Sequence, residues 1–384
     1  MKRLLSVWSI CILLAACAGG PPAAPPQGVF DDGLFGPPSQ PPRAEDVFAL
    51  SDAMKRRVDV EMAPLLRSRG ARQGLVDALY AKNQLRLEYD TQMTRNAAQA
   101  YEARAGNCLS LVIMTAAFAR HLGIPVTYRS VFTEATWSRS GDLYFSSGHV
   151  NLSLGMKRPD NVVWTQGERQ LTIDFLPPQD LVGQRGLSIS EETIVAMYMN
   201  NRAAESLAQG RLDDAYHYAR AAIRQAPSFL SAYNTLGVIY LRRGHPAHAE
   251  RVFAQVIERE PANTMVIGNQ VRALQALGRD EAATALSQRL AQIEPHPPFH
   301  FFDQGLAAMR AGDFVRARDL FAREVQRAAY YHEFHFWLAQ ANLRLGNVPQ
   351  ARRHMSLAEE NSTTRREQAI YSAKLEQLRS LRVQ

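Results

Sequence analysis

The sequence predicts two folded parts: an α+β domain in which helices precede an antiparallel sheet, and behind it an all-α solenoid of repeated helical hairpins. Three observations carry the prediction. Glycine returns at Gly210, Gly244, Gly278, Gly312 and Gly346, each time after 34 residues. Between residues 45 and 195 the apolar spacing changes from helical to alternating. At that change stands RAGNCLSLVIMTAAFARHLGIPVTYR, residues 104–129, where Cys108 opens an apolar helical run.

Length and composition allow both parts. The chain has 384 residues, 46% hydrophobic and 21% charged, an ordinary globular balance with room for about two domains. The formal charge is +7, or +5 once Lys2 and Arg3 leave with the segment described next, and it is spread thinly. No basic block interleaved with aromatics stands out, so nucleic acid is not an expected partner.

The first element is an address. Met1-Lys2-Arg3 is a positive start, and Leu4 to Ala16 is an apolar run of 13 residues, too short to span a bilayer. It ends in Leu14-Ala15-Ala16-Cys17, which resembles a bacterial lipobox. The resemblance implies cleavage after residue 16, lipid on Cys17, and anchoring to the cell envelope through the membrane. Ala18 in place of Asp points to the outer membrane of a Gram-negative cell. Residues 17–44 follow, rich in Pro, Gly and Ala, and are expected to form an extended, mostly unfolded tether. Whether its GVFDDGLFG island docks on another part stays open.

Cysteine usage sharpens the question of Cys108. The chain has three cysteines. Cys11 leaves with the leader and Cys17 carries lipid, so Cys108 has no partner for a disulfide. An exported protein normally pairs its cysteines or loses them. A retained lone thiol is either a small buried hydrophobe or a reactive group.

Residues 45–62 and 72–83 have helical spacing, and TRNAAQAYEARAG from residue 94 leads to Cys108. From there Leu111, Val112, Phe118, Ala119 and Leu122 predict an amphipathic helix that Gly123 ends. Strands are expected from Ile124 onward and over 146–154, and VVW (162–164) with RQLTIDFL (169–176) reads as a hairpin. Cys108 then sits at a helix N-terminus, where the dipole and free N–H groups favour thiolate over thiol and can hold an oxyanion. His149 and Asp174, on separate strands, can take the thiol proton and orient the imidazole. By spacing alone such a triple is a weak signal.

The words around these residues add to it. GNCLSLVIMTAAFARHLGIPVTYR, HVNLSL around His149 and TIDFLP around Asp174 resemble the transglutaminase-like core, in that order, over about residues 90–180. The resemblance implies an α+β transglutaminase-like domain over residues 45–195 that attacks amide bonds through a thioester. Cys108 would be the nucleophile, His149 the base and Asp174 the orienting acid. Where the family often has an aromatic two residues after its histidine, this chain has Asn151. Gln99 and Asn107 are candidates for an oxyanion side chain, and Trp137 for the wall of a substrate cleft. No cofactor and no metal is expected.

In the second half, alanines at Ala215, Ala249, Ala283, Ala317 and Ala351 and prolines at Pro227, Pro261 and Pro295 keep the same 34-residue period. SFLSAYNTLGVIYLRRGHPAHAERVFAQVIEREP is the fullest unit. Its Tyr233, Leu236, Gly237, Tyr240, Gly244, Ala249, Phe253 and Pro261 resemble the tetratricopeptide repeat. Small residues let paired helices approach, and stacking gives each hairpin the core it lacks alone. Five units from about 196 to 363 and a C-terminal helix to about 381 are expected, within a solenoid assigned residues 196–384. Val271 and Ala339 stand where the pattern has Gly. Such a solenoid offers a groove to a protein or peptide. The His- and aromatic-rich stretches 294–304, read as a long loop, and 330–337 are read as packing or groove lining.

Two functions stay open. One is a membrane-anchored thiol enzyme acting on amide bonds of an envelope protein or peptide, cysteine-peptidase-like hydrolysis being favoured over cross-linking. The other is an inactive scaffold lipoprotein that assembles an envelope or secretion complex.

Overall fold

The computed structural model describes residues 28–80, 88–90, 93–140, 143–155, 170–175, 186–362 and 364–380. The leader, Cys17, the first part of the tether and the VVW strand lie outside the described residues.

The N-terminal domain begins with α1 (Asp52–Arg56), a π-helical stretch (Arg57–Met62), α2 (Ala63–Arg69) and α3 (Ala71–Tyr80). Then come β1 (Glu88–Tyr89), α4 (Ala97–Ala103), β2 (Ala105–Gly106) and α5 (Cys108–His121). The sheet follows, with β3 (Val126–Ser140), β4 (Leu143–Gly155), β5 (Gln170–Ile173) and β6 (Gly186–Ile189). Its order is β5-β4-β3-β6, and every pairing is antiparallel. β1 and β2 form a separate parallel pair just ahead of Cys108.

The sequence predicts one apolar face for α5. The structure instead buries every residue from Leu109 to Ala119. Such a helix belongs at a domain centre, and α4 and β4 both pack against it.

The solenoid is five helical hairpins: α6 (Glu191–Ala208) with α7 (Leu212–Gln225), α8 (Leu230–Arg243) with α9 (Pro246–Arg259), α10 (Thr264–Ala276) with α11 (Asp280–Ile293), α12 (His300–Arg310) with α13 (Phe314–Arg327), and α14 (His332–Arg344) with α15 (Val348–Glu360). α16 (Arg365–Ser380) closes the stack. The stretch read as a loop over 294–304 is already helical from His300. The solenoid begins earlier than expected, because Ser190 caps α6 through a bond from the Thr193 N–H to its Oγ at 3.2 Å. α6 also faces the first domain, with Glu191 accepting from Tyr128 Oη at 3.1 Å and pairing with Arg120 at 2.9 Å.

The tether expectation is corrected over residues 28–44. This stretch straps onto the first two repeats. Phe35 lies flat on Tyr216 with ring centroids 4.0 Å apart. The Tyr240 hydroxyl accepts from the Asp31 N–H at 2.9 Å and donates to the Val29 carbonyl at 3.0 Å. Asp213 accepts from the Gly36 N–H at 3.0 Å, Asp214 accepts from the Ser39 N–H at 2.7 Å, and Arg220 pairs with Asp32 at 2.7 Å. The backbone donors of Asp31, Gly36 and Ser39 thus find acceptors on the repeats, while those of Gly33, Leu34 and Phe35 bond within the strap itself.

Within a repeat, helix spacing is set by what the small residue leaves room for. A Cβ on Gly237 would stand 2.3 Å from Cε1 of Phe253 on the paired helix. Gly237→Ala should therefore force the Phe253 ring aside and cost about 1–3 kcal/mol. Chemical denaturation of the variant should show a lowered midpoint, and an unchanged midpoint would mean that the ring moves freely.

Candidate active site

The start of α5 is fixed by its two preceding residues. Asn107 is the N-cap, with its Oδ1 accepting from both the N–H and the Oγ of Ser110 at 2.9 Å. Gly106 lacks a side chain where a Cβ would meet Ser110 Cβ at 2.7 Å. Cys108 is thereby the first helical residue, and it is half-buried. First-turn N–H groups have no acceptor inside their own helix. Asn107 Oδ1 takes that of Ser110, and the Asn107 carbonyl receives the Leu111 N–H at 3.0 Å as the first bond of the helix itself. The N–H groups of Cys108 and Leu109 are the candidates for an oxyanion hole.

The imidazole and the carboxylate come from the sheet. Strand alternation places His149, Asn151 and Ser153 on one face of β4, and buries Val150, Leu152 and Leu154 on the other. The register pairs Leu152 with Ile173 and Ser153 with Thr172, which brings Asp174 opposite Asn151. His149 Nε2–H donates to Asp174 Oδ1 at 2.6 Å, and Asn151 Nδ2 donates to Oδ2 at 2.8 Å. The His149 and Asp174 side chains are 6% and 5% exposed. With Nε2 on the carboxylate, Nδ1 is left to face the neighbouring Cys108 sulfur.

Two opposing effects act on His149. Burial disfavours its charged form, but the bond to Asp174 and the contact with Cys108 outweigh it and push the imidazole up to about 9. The site thus favours imidazolium beside the sulfur, the form a thiolate–imidazolium pair needs.

The structure brings Cys108, His149 and Asp174 together. Gln99 is not among them: its Oε1 accepts from the Asn96 N–H at 3.2 Å while Asn96 Oδ1 accepts from the Gln99 N–H at 2.9 Å, a capping box on α4. Asn107 is likewise taken, since its Nδ2 donates to Thr94 Oγ1 at 3.0 Å. The side chain of Trp137 lies outside the described residues. Asn151, noted only as a departure from a family habit, turns out to hold the second oxygen of Asp174. The polar alternation of His149, Asn151 and Ser153 was the signal for it. Among the described residues no group of three His, Cys, Asp or Glu side chains converges on a metal position.

Residues 63–167 match the transglutaminase-like superfamily, and residues 206–267 and 302–364 match the tetratricopeptide repeat. The chain joins a transglutaminase-like domain to a tetratricopeptide-repeat solenoid. The superfamily match stops short of Asp174, whose place is given by the strand register. No curated protein matches the chain. Among solved structures, a thermophilic tetratricopeptide-repeat protein of Thermus thermophilus is similar at 18% identity, covering 47% of this chain and 99% of that one with a TM-score of 0.31. A tetratricopeptide repeat protein from Parabacteroides merdae is similar at 16% identity, covering 48% of this chain and 73% of that one with a TM-score of 0.26.

The transglutaminase-like domain should show its His149 electrostatics in solution. The folded-state value near 9 lies above the ordinary 6.5, so the stabilisation is fully present below pH 6.5 and is lost as pH rises through 9. NMR titration of the His149 ring should give a midpoint near 9 that falls in Asp174→Asn. A midpoint at the ordinary value in the unaltered protein would contradict the geometry.

Proposed function

We propose that this chain is a papain-like thiol enzyme that acts on amide bonds of a cell-envelope protein or peptide, hydrolysing them, with the repeat arm holding substrate or partner. The carrying observation is the bonded series in which Asp174 holds His149 at 2.6 Å and His149 meets Cys108 at the start of a buried helix. The lipobox-like Leu14-Ala15-Ala16-Cys17 supports attachment to the envelope through lipid on Cys17, at the outer membrane. The repeats support a protein or peptide partner.

The chemistry follows from the three side chains. Cys108 Sγ gives its proton to His149 Nδ1 and bonds to the carbonyl carbon of the substrate amide. The carbonyl π electrons move onto oxygen, which accepts from the N–H groups of Cys108 and Leu109. As the carbonyl re-forms, the C–N bond breaks, and the leaving amine takes the proton from His149. A thioester on Cys108 remains. Water then attacks it, giving a proton to His149 as the carbon–sulfur bond breaks. The products are a carboxylic acid and a free thiol. Asp174 stays ionised throughout and stabilises the imidazolium.

Iodoacetamide alkylation of the unlipidated protein tests the pair directly. Cys108 should label fast below pH 7, and His149→Ala should slow it by about tenfold or more, within the range of general-base effects. Labelling no faster than a free thiol would leave the inactive scaffold as the better account.

A further inference from the structure

The first helix of the repeat arm reaches to within one side chain of the cap that starts the nucleophile helix. Thr94 stands between them and is buried, 1% exposed. From the arm, Asn201 Nδ2 donates to Thr94 Oγ1 at 3.2 Å, Glu205 Oε1 accepts from the Thr94 N–H at 2.6 Å, and Arg202 donates to the Thr94 carbonyl at 3.3 Å. All three belong to about one turn of α6. From the thiol side, Asn107 Nδ2 donates to the same Thr94 hydroxyl at 3.0 Å. The next backbone N–H, of Arg95, donates to Ser110 Oγ at 2.8 Å.

This matters because an N-cap works only in one orientation of its amide. Asn107 has to present Oδ1, not Nδ2, to the Ser110 N–H. The Ser110 N–H, which can only donate, selects Oδ1, and Thr94 Oγ1 accepts from Nδ2 and holds the other end of the amide in place. The Arg95 N–H, by occupying Ser110 Oγ, turns the Ser110 hydroxyl proton toward Asn107 Oδ1, to which it donates at 2.9 Å. Turning the amide over would set donor against donor at Ser110 and free the first turn of α5, where Cys108 is held against His149.

We infer that Thr94, clamped by Asn201 and Glu205 of α6, is a positioning residue for Cys108, and that the repeat arm thereby sets the reactivity of the thiol. This rests on the thiol-enzyme reading above. The arm is then a structural part of the reactive site as well as a holder of partners. Loosening α6 should slow the thiol without touching any residue that meets substrate.

The test is alkylation of Cys108 by iodoacetamide across pH in the full chain. Thr94→Val keeps the shape but loses the hydroxyl, and should slow labelling near pH 6 by about tenfold, as expected for a lost orienting contact. Thr94→Ser restores the hydroxyl and should label close to the unaltered rate. Asn201→Ala removes only the arm's bond to the hydroxyl and should give a smaller slowing, of about two- to fivefold on the same grounds. It also serves if Thr94→Val does not fold. A purely structural role predicts a lowered unfolding midpoint in these variants with an unchanged pH profile, and that result overturns the proposal. Fast labelling in the unaltered protein with equally fast labelling in Thr94→Val overturns it alone. Slow labelling in the unaltered protein overturns the thiol-enzyme reading and this proposal with it.

Discussion

A helix buried on every side can meet solvent or a reacting group only at its ends, and this constraint organises the transglutaminase-like domain. Eleven consecutive residues of α5, from Leu109 to Ala119, are buried. The backbone donors at its start have to be satisfied or put to use. Asn107 satisfies that of Ser110, and the thiol stands beside those of Cys108 and Leu109. The sheet that covers α5 supplies His149 and, across one strand, Asp174. Covering the helix and assembling the polar side chains are therefore the same packing event.

Much of this was legible because it is periodic or local. The 34-residue recurrence of Gly and Ala set out all five hairpins, since each unit repeats the same contacts and tolerates Val271 and Ala339 in place of glycine. Cys108 stood out as an unpaired thiol at the start of an apolar helical run. His149 and Asp174 were found by the words around them, and their pairing needed the strand register. What stayed hidden depends on partners far away in sequence. The strap gains its structure from Tyr216 and Tyr240, and no local pattern announces that. β6 is four residues long and only half-buried at its ends, so its pairing with β3 leaves no alternation to detect. Gln99 shows the opposite error: Asn96 and Gln99 have the spacing of a capping box, which outranked a role in chemistry.

Cohesion is uneven along the molecule. One apolar core runs from Val29 through the transglutaminase-like domain to Ala273 in the third repeat. Beyond it lie three smaller clusters, around Val271 and Leu274, around Phe302 and Phe334, and around Met355 and Leu375. The early repeats thus share their stability with the domain, whereas the later ones depend on nearest neighbours, as stacked hairpins do. Imidazoles add to the last cluster: buried His332 Nδ1 bonds the Tyr371 hydroxyl at 2.8 Å, and buried His335 stacks on half-buried His354 with ring centroids 5.4 Å apart. Burial holds all three below the ordinary histidine range.

The strap also imposes an order in time. Val29 and Asp31 are made early, yet their seat on Tyr240 is made 211 and 209 residues later. At roughly 5–20 residues per second of synthesis, the strap waits on the order of ten to forty seconds for a partner. The α6 residues that clamp Thr94 also appear only after the sheet is complete. A growing chain therefore carries its cysteine, histidine and aspartate before the clamp beside them exists. The surroundings of Cys108 are finished late, by the segment that also begins the arm.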